Sequence, residues 1–356
     1  MQQTLRPFAT AGVALVGASL IAIAPMAAPG PDIQMLDVAL TSGDTDLLTP
    51  WEDVFNTASA NATTLTNNFS SAPFVDLQQL IANDSGYLQD FFNAPTSSTV
   101  SEISGQMQAN LAAVLTGLPL QDATSETTKT VTQFTLQGSG LEGHAVLFSE
   151  IASFLPASEA GTLTPIIDFL GSPDSGIIMG DLGPLISPLI ALSDSISAGD
   201  DLNETLANTV GAFFNGADLN LDSLIPAAEA SGYLPAGMNI ENLDIAFGGL
   251  LSTGGVGADS DGVGGSIFNS LGIDLTGVPV LGTIDAPSEA VGPIGAWEGM
   301  SQAIASLLGW DGSGSPLTDV TFPVIPTDFL DGSTIPAAAA ADLSSLVQDV
   351  VSALGL

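Results

Sequence analysis

Apolar residues recur at spacings of three and four along much of this chain. Trp51, Val54, Phe55, Ala58, Ala62, Leu65 and Phe69 fall on one helical stripe, with Asn and Thr on the other faces. Thr49-Pro50-Trp51-Glu52 ahead of it reads as a capping box, with Thr49 as N-cap, Pro50 at N1 and Glu52 at N3. A second stripe follows Pro73, made of Leu77, Leu80, Ile81, Leu88, Phe91 and Phe92. A third, opened by a capping box from Thr99 to Glu102, holds Val100, Ile103, Met107, Leu111, Val114 and Leu115. Leu147, Phe148, Ile151, Phe154 and Leu155 mark a helix over 142–155. Thr164-Pro165 opens a short one ending at Leu170. Asp201-Leu202-Asn203-Glu204 caps another, with Leu202, Leu206, Val210 and Phe213 on its stripe. The C-terminus repeats the pattern through Leu343, Leu346, Val347, Val350, Val351 and Leu354.

The predicted fold is therefore mainly α, with amphipathic helices packed among long Gly/Pro-rich loops. Pro184 and Pro188 are expected to interrupt the apolar stretch from Leu182 to Leu192. Residues 251–265 hold six Gly and read as a linker. The expected organisation is an export segment at 1–28, an extended linker at 29–48, a helical domain at 49–250, the Gly-rich linker at 251–265, a loop-rich lobe at 266–336 and a C-terminal helix at 337–356. Within that lobe, Val278 to Ile284 reads as a short extended piece. A transmembrane barrel would need many segments of strict alternation and aromatic girdles. With two Tyr and three Trp, and a period of 3.6 rather than 2, that pattern is not present.

Charge adds exclusions. The chain carries 39 acids against 2 basic residues, a formal net charge of −37, yet 45% of its 356 residues are hydrophobic. Its mean hydropathy is +0.42. High charge with low hydrophobicity marks disorder, but here the apolar content is ample for a core. Arg6 and Lys129 cannot neutralise a phosphate backbone, so no nucleic-acid or nucleotide partner is expected. An anionic membrane surface would repel the chain. No Cys is present, which removes disulfides, thiolate chemistry and Cys-ligated metals.

The N-terminal segment has Arg6 as its only charge, then an uninterrupted apolar or small-residue run from Phe8 to Ala24 and Pro/Ala/Gly-rich sequence to Pro31. This is the layout of a secretory signal peptide. Pro25 disfavours cleavage directly after Ala24, so the expected site is around Ala27 or Ala28. An uncleaved anchor is the alternative.

Candidate chemistry is sparse. A Ser-His-Asp triad would have to use His144, the only histidine, with Glu142, Ser149 and Glu150 near it in sequence. No G-x-S-x-G elbow occurs, and His144 shares a stripe with Leu147, Phe148 and Ile151, so a packed structural histidine is the better reading. Gly254 to Asp259 matches the start of a calcium-binding nonapeptide, but Asp261 stands where that motif needs an apolar residue and there is one copy. Gly43-Asp44-Thr45-Asp46 and Gly199-Asp200-Asp201 read as turns and caps. Paired carboxylates could hydrolyse glycosides, but 39 acids make any pairing uninformative. No catalytic, cofactor or metal residues are assigned, and an enzyme is not expected.

Several long segments carry a resemblance: LRPFATAGVALVGASLIAIAP at the N-terminus, LTSGDTDLLTPWEDVFNTASANATTL at 40–65, the segment from FFNGADLN to AFGGLLS at 213–252, and that from GGSIFNSLGIDL to LLGWDG at 264–312. Together they resemble mycobacterial GjpA-type outer-membrane porins over most of the chain. The resemblance implies an exported cell-envelope protein, a porin-like diffusion pore, and association with outer-membrane lipids or with itself. It implies no catalytic residues. Without strand alternation, such a pore would be an oligomeric bundle of amphipathic helices with an acid-lined, cation-selective lumen. The competing expectation is a secreted or surface-associated protein that forms no pore and acts by protein or lipid contact through exposed helical stripes.

Overall fold

A computed structural model describes residues 47–139, 142–318 and 320–323. The export segment, nearly all of the 29–48 linker and the C-terminal helix lie outside the described residues. The described residues are mainly α, about 58% of them helical. It divides into two compact units. The described part of one is residues 94–104; the other comprises Thr45–Asn93 and Gly105–Ile325.

The helices are α1 (Thr49–Ser71), α2 (Val75–Asn93), α3 (Ser97–Gly117), α4 (Ser125–Thr132), α5 (Gly143–Phe154), α6 (Ala160–Leu170), α7 (Pro173–Ala198), α8 (Leu202–Asn215), the short α9 (Ile225–Ala230) and α10 (Pro293–Leu307). The strands are β1 (Ala217–Asn220), β2 (Asn239–Phe247), β3 (Gly254–Val256), β4 (Gly262–Val263), β5 (Leu271–Val278) and β6 (Gly282–Ala286). Strands β1-β2-β5-β6 form an antiparallel sheet in that order, and β3-β4 a separate hairpin. Neither sheet closes into a barrel among the described residues.

Local signals were obeyed unevenly. Asp201 caps α8 as expected, its Oδ1 accepting from the Glu204 amide at 2.9 Å. Gly199 ends α7 in the left-handed region at φ +81°, its amide on Ser195 O. The N-cap of α1 is Leu48 rather than Thr49, so the helix begins one residue earlier than the expected box. For α3 the cap shifts to Thr96, whose Oγ1 accepts from the Thr99 amide at 3.2 Å. Helix α6 begins ahead of Thr164 and carries Pro165 inside it. Pro184 and Pro188 do not break the chain either, because α7 runs through both. Each interior proline costs about 3 kcal/mol. The packing of α7 along α8, α10 and the sheet offsets that cost.

The sheet corrects two further expectations. Residues 251–265 are not a linker. Ser252, Gly254, Gly255, Val256, Val263, Gly264 and Gly265 are buried. Buried polar side chains hold this segment down: Asn269 Nδ2 donates to Gly254 O at 2.8 Å while its Oδ1 accepts from the Gln137 amide, and Ser266 Oγ donates to Thr135 O at 2.9 Å. The lobe at 266–336 is not separate, since β5 pairs with β2 across the supposed boundary. The sheet also has the period-2 alternation that the sequence hid. Leu219, Leu243, Ile245, Ile273, Leu275 and Ile284 share one face, and Asp218, Asn220, Asn242, Asp244, Asp274 and Asp285 the other. Irregularities at Glu241 and Gly277 each insert one residue and shift the parity. Gly277 takes φ +71°, which explains glycine there.

The apolar sheet face builds the main core. Ile240, Leu275, Ile284 and Ala286 pack with Val146 and Leu147 of α5 and with Phe268, and Phe148, Ile151 and Phe154 join them. The stripe expected at 142–155 thus enters the core, and Ile167 and Leu170 of α6 join it. Elsewhere the expected stripes are only partly inside: α3 buries Val100 and Ile103 but exposes Leu111 and Leu115. On α1 only Val54 and Leu65 are buried, while Phe55 and Phe69 are exposed. Helix α2 buries Val75, Gln79, Ser85 and Phe91 and exposes Leu77, Leu80, Ile81 and Leu88. Its inward side hydrogen-bonds to the α10 region: Asn83 Nδ2 donates to Leu308 O at 2.8 Å, and Ser301 Oγ donates to Asp76 Oδ1 at 2.7 Å. Helix α8 buries Ala207, Gly211 and Ala212 and exposes Leu202, Leu206 and Phe213.

Candidate functional site

Four features of the fold could serve as a site: the buried histidine, the acidic sheet face, a cleft beside Trp310 and the outward helix faces.

His144 is fully buried at the start of α5. Its Nε2 lies 2.7 Å from Leu271 O, and its ring meets Phe268 edge-on at 6.1 Å. Burial pushes its pKa down, against smaller upward effects of Leu271 O and the Asp244 charge. It is therefore a neutral imidazole. Ser149 Oγ donates to Val146 O at 2.8 Å, within its own helix, so the structure brings no serine to this histidine. The packed structural reading of His144 holds.

The polar sheet face gathers acids. Asp274 and Asp285 sit directly opposite each other on β5 and β6. Burial, a hydrogen bond to Asp285 and its charge hold the Asp274 carboxyl above the usual range. Desolvation and then Asp244 do the same for Asp218. Asp244 Oδ2 accepts from Asn242 Nδ2 at 2.7 Å, and its Oδ1 is buried without a partner. Asp222 is the exception: hydrogen bonds from Asn220 and from the Leu243 amide lower its pKa. Beyond the sheet, two glutamates titrate near neutrality. Glu289 lies against Gly255 and is pushed up to about 7 by burial and the Asp218 charge, opposed by a Ser260 hydrogen bond. Glu298 on α10 is pushed up to about 7 by burial alone, and its Oε2 has no partner. These two carboxyls can take up protons near pH 7; a hydroxyl, Ser260, hydrogen-bonds to Glu289, but no histidine or lysine joins that pair in the hydrogen bonds observed. Among the described residues no group of three or more His, Asp and Glu could hold a metal ion. Asp259 and Asp261, of the calcium-like motif, are exposed on the turn joining β3 to β4.

The cleft has a volume of about 490 Å³ and is lined by Gln79, Trp310, Asp311, Ser313, Ser315 and Thr318 among others. Its polar groups are largely spent on each other. Trp310 Nε1 donates to Gly314 O at 3.0 Å, Ser313 Oγ donates to Asp311 Oδ1 at 3.0 Å, and Ser315 Oγ donates to Gln78 Oε1. The Trp310 ring also packs on Ala72, Val75 and Ala305, so it is not a free stacking platform for a sugar.

The outward face of α7 is the feature without an internal role. Its inner side is mostly small: Gly176, Gly180, Gly183 and Ser187 are buried, with Met179 and Ile190 beside them. A Cβ on Gly176 or Gly183 would overlap the carbonyl oxygens of Gly265 and Gly248, and one on Gly180 would come within 2.9 Å of Gly292 O. Glycine lets this helix press on backbone. Ser187 Oγ donates to Ala212 O at 2.8 Å, tying α7 to α8. The outer side exposes Ile178, Leu182, Leu185, Leu189, Leu192 and Ile196. The breaks expected at Pro184 and Pro188 hide this set in the sequence; the 4-3-4-3-4 spacing across them is the signal that reveals it. Among the described residues α7 is the one helix long and apolar enough to cross a membrane, with 39% of that stretch buried inside the fold.

Compared with known proteins, the sequence matches no family model and no curated protein, and the fold matches no solved structure.

Proposed function

We propose that this chain is an exported cell-envelope protein that works by contact rather than by catalysis. The observation that supports this reading is the inverted burial of its helices. Small or hydrogen-bonding residues make up most of the inward side of α7 and α8 and half of that of α2, with Val75, Phe91, Met179 and Ile190 among them, while most of the leucines of these helices face outward. Packing through small residues and interhelical hydrogen bonds is the solution used where the exterior is itself apolar. Contiguous exposed apolar surface marks sites of protein or membrane contact. The acid surplus restricts partners to neutral or cationic surfaces. The N-terminal layout and the porin-like segments supply the envelope location. Fractionation of the producing cells tests the reading. Recovery at the cell surface or in the medium is expected, and retention in the cytosol sinks it.

A passive diffusion pore for small neutral or cationic solutes in the outer membrane is the second reading, favoured by the acid surplus. It needs several copies, because the sheet of one chain does not close among the described residues. Planar-bilayer recordings of purified protein should then show cation-selective conductance; silence, or anion preference at neutral pH, removes the pore.

A further inference from the structure

The outer face of α7 has a geometry that selects its occupant. Ile178, Leu182, Leu185, Leu189, Leu192 and Ile196 alternate by four and three residues, the a/d repeat of a coiled-coil seam sustained over nearly three heptads. Leu185 and Leu189, at its centre, are 69% and 66% exposed. The stripe is narrow. Its exposed neighbours are Asp181, Ser193, Asp194 and Ser197, while Pro184, Ile186, Pro188 and Ala191 are half-buried on the inner side. A helix lying in lipid presents a broad apolar arc with Lys or Arg along its polar side. A one-residue-wide seam edged by acids is instead the form that takes another helix with the same repeat.

We infer that this seam is a self-association surface on which α7 of a second copy packs. A copy of α7 matches the repeat and the length by symmetry, as a two-fold interface requires. The six side chains leave about 600 Å² of aliphatic surface open per copy, most of the ~800 Å² that each partner contributes to a standard interface once rim residues are added. No charge lies among the four central leucines, so the seam itself is not repulsive. The repulsion comes from two bodies each carrying −37. Association must therefore tighten with salt, the opposite of binding driven by charge attraction. The inference rests on the contact reading above and names the partner that this face takes.

Sedimentation equilibrium of the full chain tests it. A dimer is expected, with the dissociation constant falling about tenfold between about 50 mM and 500 mM NaCl as screening grows. L185E/L189E should be monomeric at all salt concentrations, with an unchanged far-UV circular dichroism spectrum. L185A/L189A, which keeps helix propensity, should weaken the dimer at least tenfold and guards against a folding defect in the glutamate variant. A wild-type monomer throughout, or a glutamate variant that dimerises like wild type, overturns the inference. Flotation with phosphatidylcholine vesicles separates the two levels. A monomer that floats through this face, and stops floating in L185E/L189E, overturns the second copy as occupant while the contact reading stands. A monomer that neither dimerises nor floats overturns both.

Discussion

Helix α5 turns Val146, Leu147, Phe148 and Phe154 toward the sheet core, whereas α7 turns Gly176, Gly180, Gly183 and Ser187 inward and leaves six leucines and isoleucines outside. Both are rich in apolar residues, and hydropathy alone would orient them alike. What separates them is the surface each one meets. Helix α5 meets the side-chain face of a sheet, where large residues interdigitate. Helix α7 also meets backbone, at Gly248, Gly265 and Gly292. Only a helix without Cβ atoms at those points can approach so closely, so size rather than hydrophobicity decides which side goes in.

The strongest way to break this comparison is Gly183→Ala. The added methyl would overlap the Gly248 carbonyl, and a loss of about 3–4 kcal/mol is expected by urea titration. A change under about 0.5 kcal/mol would mean that the inner side of α7 is not tightly packed. On the α5 side, Leu147→Ala should cost about 3 kcal/mol through the cavity it leaves, which sets the scale for a side chain that is truly core.

Glu298 asks how dry the α10 side is, since α10 packs against α7. Its folded pKa, about 7, stands above its ordinary value of 4.5. The folded state therefore holds its proton more tightly, and stability contributed by the neutral form is lost as pH rises from about 4.5 to about 7. Glu298→Gln should add on the order of 2 kcal/mol at pH 8 and nothing at pH 4. Glu289 acts in the same direction. His144, whose folded pKa is lowered, acts in the opposite sense below the ordinary imidazole value of 6.5. Two glutamates outweigh one histidine, so thermal melts should peak at mildly acidic pH, near about 5. A flat profile between pH 5 and 8 would contradict the burial of these groups.

Two smaller effects sharpen the contrast. Asp285→Asn removes the like charge directly across from Asp274 and should stabilise by about 0.5 kcal/mol at pH 8, fading in acid. Leu185→Ala should change monomer stability by less than about 0.5 kcal/mol, because the side chain is already in water. A loss near that of Leu147→Ala would place Leu185 in a core and refute the outward seam.

Helix content was legible because 3.6-residue periodicity and local caps are short-range signals; the Asp201 cap and the stripe at 142–155 needed nothing beyond neighbours in sequence. The buried side of α2 was not, since Gln79 and Asn83 face α10 residues more than two hundred positions away. The sheet was hidden for a different reason. Leu243-Asp244, Ile273-Asp274 and Ile284-Asp285 repeat one apolar-acid step, but the irregularities at Glu241 and Gly277 break the run of two. The seam on α7 was hidden because it depends on the helix continuing through Pro184 and Pro188, which its packing against distant backbone decides.

The sequence by itself determined the helical class and the acid surplus, since both depend on composition and near neighbours. Tertiary structure alone decided which helix faces are inside, and that most of the glycine-rich segment is core, pinned by the buried Asn269. Those outcomes depend on how closely two backbones approach, a distance set by the missing Cβ atoms of glycines that lie apart in the chain and meet only in the fold.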